Sequence, residues 1–176
     1  MTPNLNKRTM TFLRAMLLMI LLMWNFWACE KDDICVDGDT PLLVIRFYDI
    51  TDTTELKPAA GLRVIGLGQN TVVNTFNDRS SRDSIGIPLK ISDSVTDFIF
   101  ILNSADEDGQ ETGNADTLRF DYETREVFIS RACGFVMNFE NLTGELPSDS
   151  SPWVQNLSVE NPNVQNQSSA HVKIFH

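Results

Sequence analysis

The feature that most constrains this chain is a two-residue rhythm of apolar side chains recurring after residue 40. Leu43, Ile45 and Phe47 alternate with Val44, Arg46 and Tyr48, and Leu118, Phe120 and Tyr122 alternate with Thr117, Arg119 and Asp121. Successive side chains of a strand point to opposite faces, so this pattern buries one face and wets the other. Other apolar runs predict further strands: "LRVIGL" (62–67), "SIGIPLKI" (84–91), "DFIFIL" (97–102), "REVFIS" (125–130), "GFVMNF" (134–139), "WVQNLSV" (153–159) and "HVKIFH" (171–176). Pro88 cannot donate to a ladder, which puts its strand at an edge or a bulge. "YETREV" predicts a tight connection, making 117–130 a hairpin, and the polar stretches 104–116 and 160–170 are predicted loops. No run here combines helical period with caps, and no repeat marks a second domain. The expected fold is one all-β domain over 41–176, an antiparallel β-sandwich of immunoglobulin-like or transthyretin-like layout, with a small barrel as the alternative.

The start of the chain is different. A basic stretch with Lys7, Arg8 and Arg14 leads into "AMLLMILLMWNFWA" (15–28), fourteen residues broken only by Asn25. At ~1.5 Å per residue a helix of that length reaches roughly 21 Å, short of the ~30 Å hydrocarbon core. A basic region, a short apolar region and a small residue at the boundary predict a signal peptide over 1–28; an uncleaved signal anchor is the alternative. Ala28-Cys29 resembles the lipobox of bacterial lipoproteins, although Phe26 and Trp27 are bulkier than that pattern usually has. The resemblance implies acylation of Cys29, a tether over 29–40 and a stable lipid anchor. Glu30, Lys31, Asp32 and Asp33 resemble the acidic export signal behind the acylated cysteine of surface lipoproteins in Bacteroidota; a solvated linker is the other reading.

With Cys29 acylated, Cys35 and Cys133 remain, and in an oxidising compartment they are expected to form a disulfide. A metal site is disfavoured, because Cys29 and Cys35 lack structural-zinc spacing and no histidine precedes His171.

Charge excludes some functions. The formal net charge is −10, and loss of the signal segment with Lys7, Arg8 and Arg14 takes it to about −13. Such a surface repels nucleic acid and disfavours adhesion of a domain face to anionic lipid. Chemistry is harder to find. Asp106, Asp108 and Gln110 fall at the first, third and fifth positions of a calcium loop, but Glu111 and Thr117 stand where glycine and a bidentate glutamate are needed, so the loop is a weak metal candidate. His171 and His176 are expected at the surface or partly satisfied, and no G-x-S-x-G elbow occurs. Asp121 and Glu123 are spaced to share a strand face, as acid–base work requires, yet an acidic chain makes such pairs by chance. The triplets at Asp52, Asp83, Asp93 and Asp116 resemble the D-S/T-hydrophobic acceptor of Bacteroidota O-glycosylation, or simply begin strands after turns.

"CEKDDIC", "LLVIRFYD", "DTLRFDYETREVFISRACGF" and "AHVKIFH" together resemble an uncharacterised family of small Bacteroidota outer-membrane lipoproteins. That resemblance implies a location, the outer membrane facing the exterior, and no catalytic residue or cofactor. The expected function is a non-enzymatic binding or scaffold subunit for another envelope component, such as an outer-membrane β-barrel. The alternatives are a glycan- or divalent-cation-binding module acting through 104–116, and an envelope hydrolase using the acidic pairs.

Overall fold

Leu43, Ile45 and Phe47 lose all solvent contact along β1 (Leu43–Tyr48), whereas Arg46 stays exposed between them. The computed structural model describes residues 7–23, 35 and 39–176. It divides into two units, Met1–Ile34 and Cys35–His176. The described part of the first is one helix, α1 (Lys7–Met23), consistent with a signal peptide. No helix among the described residues is long and apolar enough to cross a membrane.

The second unit is a β-sandwich. After β1 come β2 (Ala59–Gly66), β3 (Thr71–Val72), β4 (Ser80–Arg82), β5 (Ser84–Ile87), β6 (Val95–Glu107), β7 (Gln110–Ser130), β8 (Gly134–Glu145), β9 (Asn156–Val159) and β10 (Val172–Phe175). The smaller sheet has the order β5-β1-β10-β9; the larger has β3-β2-β6-β7-β8, with β4 also on β2. All pairings are antiparallel except β1 with β10, which run parallel with Ile45 opposite Val172 and Phe47 opposite Ile174. The expected antiparallel β-sandwich is thus observed, with one parallel pairing at the centre of the smaller sheet.

Between the sheets, Leu43, Ile45, Phe47, Val172 and Ile174 meet Leu62, Val64, Phe98, Phe100, Leu118 and Phe120, all at most 2 % exposed. Aromatic rings fix the packing: Phe98 meets Phe100 and Phe120 edge-on, and Tyr122 meets Phe139 with centroids 5.1 Å apart. β5 ends at Ile87, directly before Pro88, and lies at a sheet edge as that proline requires.

Two expectations fail for one reason. Residues 117–130 are not a hairpin but part of β7, a single 21-residue strand. Its first part pairs with β6 and its second with β8. Residues 104–116 are not a loop but the end of the β6–β7 hairpin, which turns at Asp108 and Gly109 with φ of 54° and 80°. Two successive positive-φ residues make the turn that matches strand twist, and Asp-Gly supplies them cheaply. Glu123 and Thr124 carry no such conformational licence, so the chain runs straight through them. Residues 160–170 do form a loop, crossed by one bridge from Val164 to Phe139.

Candidate functional site: a cleft beside an edge strand

Beside the edge strand β3 opens a cleft of about 710 Å³, lined also by residues 40–42 ahead of β1, residues 88–92 after β5, and Thr96 and Phe98 of β6. Its floor includes Phe98 and Leu89; its rim carries Val72 and Ile91, exposed by 37 % and 58 %. Residues 88–92 arch over one side because Pro88 stops β5 and turns the chain off the ladder.

Hydroxyl groups hold this arch. Thr96 Oγ1 accepts the Lys90 N–H at 3.1 Å, and Tyr122 donates to the Lys90 carbonyl at 2.8 Å. Thr96 and Tyr122 are themselves 2.6 Å apart, and with the tyrosine proton committed to Lys90 the threonine is the donor of that bond. Burial raises the Tyr122 pKa, so this phenol stays neutral and structural.

Charge sets the cleft apart from the rest of the domain. Among its lining residues Lys90 alone is charged, and its ammonium lies 3.8 Å from Asp93 outside the cleft. In a chain of net charge −10, a concave surface with one cation and no lining carboxylate suits a neutral or apolar segment. β3, which borders it, lies at the end of its sheet with one side not paired to another strand.

The residues singled out from sequence are scattered. Cys29 and the Glu30, Lys31, Asp32 and Asp33 run lie outside the described residues. Cys35 and Cys133 are joined in a disulfide with Cα atoms 4.9 Å apart. Asp106, Asp108 and Gln110 sit at the β6–β7 turn, where Asp106 Oδ1 accepts the Gly109 N–H at 2.9 Å. Nearby Glu111 binds Arg63, Arg79 and Ser104, which lowers its pKa, first through the Ser104 bond. Among the described residues no group of three or more potential ligands is poised around a metal position. Asp121 and Glu123 flank buried Tyr122 and point away from the core, and Glu123 faces Glu140 across the sheet.

Of the triplet acceptor positions, Thr53 and Ser94 are exposed and Ser84 and Thr117 half-buried; Asp116 is 1 % exposed. Its Oδ2 accepts the Val154 N–H at 2.7 Å and its Oδ1 has no hydrogen-bond partner. His171 and His176 are buried, at 1 % and 9 % exposure, correcting the surface placement expected of them. Both lie where β10 meets its neighbours and serve as hydrogen-bonding struts.

Sequence reading missed the cleft. β3, at two residues, is too short to show a period, and the cleft depends on where it docks. Its one local sign is Pro88, which was legible as a strand edge.

The architecture defines an all-β sandwich closed by a disulfide at one hairpin tip. The chain belongs to DUF6452, a family of unknown function, which matches residues 61–176. No curated protein and no solved structure matches it.

Proposed function

We propose that this protein is a lipid-anchored, surface-exposed lipoprotein of the Bacteroidota outer membrane. It acts as a non-enzymatic binding subunit, holding a neutral or apolar segment of another envelope component, such as an outer-membrane β-barrel. The cleft beside β3 carries this reading, because its lining has Lys90 as its sole charge on an otherwise acidic chain. The Lys90 N–H donates to Thr96 and the Lys90 carbonyl accepts from Tyr122, and these two bonds preorganise the arch, which reduces the ordering cost of binding. The anchor is supported by the Ala28-Cys29 boundary behind a short apolar run and by the acidic residues that follow.

A photo-crosslinking side chain at Ile91, in intact envelopes, tests the cleft. The expected result is one dominant adduct with an outer-membrane protein, lost when Val72 is changed to Asp. An adduct pattern matching that from exposed Thr143 on β8 counts against the cleft. Changing Cys29 to Ala is expected to release the protein from membranes, and undiminished retention defeats the acylation reading.

A further inference from the structure

The β7–β8 hairpin runs past the core, and its tip is apolar on both faces. Phe128, Ile129 and Phe135 are 55 %, 41 % and 61 % exposed. Phe128 and Phe135 are cross-strand partners whose rings meet edge-on, with centroids 5.2 Å apart. Ile129, next in the strand, points to the opposite face. From Val127 to Val136 the sole charged residue is Arg131.

The disulfide decides what this tip lies near. Cys133, in the turn of the hairpin, is bonded to Cys35, and Cys35 stands six positions after Cys29. A fully extended segment of that length spans at most roughly 20 Å. The exposed aromatic pair is thereby leashed to the residue proposed to carry lipid.

We infer that the β7–β8 tip inserts into the bilayer surface beside the anchor, with Phe128, Ile129 and Phe135 in the region where headgroups give way to acyl chains; this rests on the anchor reading. A protein partner would dock on one face of a hairpin, whereas lipid surrounds both, and this tip is apolar on both. Phe128 stands two to three residues from the turn, about 10 Å at ~3.3 Å per residue, which matches the ~5–10 Å depth of interfacial insertion. The repulsion expected between an acidic domain and anionic lipid acts through the faces; the tip carries a cation and no anion. Insertion at a second point gives the anchored domain a fixed orientation.

The test reconstitutes the full chain, purified from membranes, into phosphatidylethanolamine vesicles doped with a lipid bearing a photoactivatable acyl chain, followed by peptide mass mapping. Acyl adducts are expected within residues 126–136 and are expected to be lost in the Phe128→Ser, Phe135→Ser double variant. Both rings are more than half exposed, so the variant should still melt cooperatively, with a midpoint lowered by only about a few degrees through loss of the ring pair. Protein that floats with vesicles but carries adducts only ahead of Cys35 overturns the insertion and leaves the anchor standing. Protein that does not float overturns both. A protein–protein adduct from position 128 in intact envelopes, without lipid adducts there, also overturns the lipid assignment.

Discussion

His171 and Val44, 127 positions apart, exchange two hydrogen bonds: the His171 N–H donates to the Val44 carbonyl at 2.9 Å, and the imidazole Nδ1 accepts the Val44 N–H at 3.0 Å. The second bond requires a neutral ring with its proton on Nε2. His176 plays a related part at the other end of β10, bonding the Lys57 carbonyl at 3.0 Å and packing edge-on against Trp153.

Acid should therefore weaken the fold at these two rings. Burial holds both folded-state pKa values below the ordinary histidine value. The unfolded chain takes up these protons near pH ~6.5 while the folded chain does not, so the contribution is fully present above that pH and is lost as pH falls through the depressed folded values. Urea midpoints measured from about pH 8 to pH 5 should fall, and His171→Ala should flatten part of that slope. The same substitution strands the Val44 N–H and should cost ~1–3 kcal/mol at pH 8.

Asp116 should behave in the opposite sense. Its burial, foremost, raises its folded pKa, and the negative charge of Asp149 adds to this. Its folded form holds a proton that the unfolded form has released, so stability falls as pH rises through the raised value. Asp116→Asn keeps an acceptor for the Val154 N–H and removes the buried charge; it should raise the melting temperature at neutral pH, with the gain vanishing toward pH ~4. Asp116→Ala removes the acceptor and should be destabilising by ~1–3 kcal/mol.

The Cys35–Cys133 bridge closes a loop across 98 positions. On the chain-entropy model its loss costs up to ~4.7 kcal/mol. Cys133→Ser, or full reduction, should lower the denaturation midpoint accordingly. A non-reduced tryptic map should yield a linked Cys35–Cys133 peptide.

Gly113 and Gly109 offer a paired test of backbone constraint. Gly113 has φ +119°, and an added Cβ would lie 2.6 Å from the Leu102 carbonyl oxygen; Gly109 has φ +80° with open space around it. Gly109→Ala should cost about 1 kcal/mol from strain alone, whereas Gly113→Ala must also shift β6 and should cost ~1–3 kcal/mol more. Thermal melts of the two variants give the order directly.

The buried faces of β1 and of β7 around Leu118, Phe120 and Tyr122 were legible because one side of each strand meets the core and the other meets water. Legibility failed where a strand leaves the core. Beyond Tyr122, β7 continues into solvent with both faces polar or exposed, so alternation vanishes while the ladder persists. Residues 104–107 and 110–115 read as a loop for the same reason, and only Asp108-Gly109 marked the true turn. The histidines misled because imidazole is polar, yet each has a backbone partner that burial demands. The cleft escaped notice because it gathers Leu42, Val72 and Ile91 from segments far apart in sequence. At the weak calcium candidate, Asp106 Oδ1 accepts the Gly109 N–H and caps the turn.

The parallel pairing of β1 with β10 bears on the order in which such a chain closes. β1 emerges early with Leu43, Ile45 and Phe47 ready to bury, but its parallel partner follows well over a hundred residues later. Until β10 arrives the segment 43–48 is an unsatisfied sticky edge, exposed to pairing with other chains. The sandwich then closes last at its own middle, and any block that withholds β10 leaves β1 open to pair with another chain.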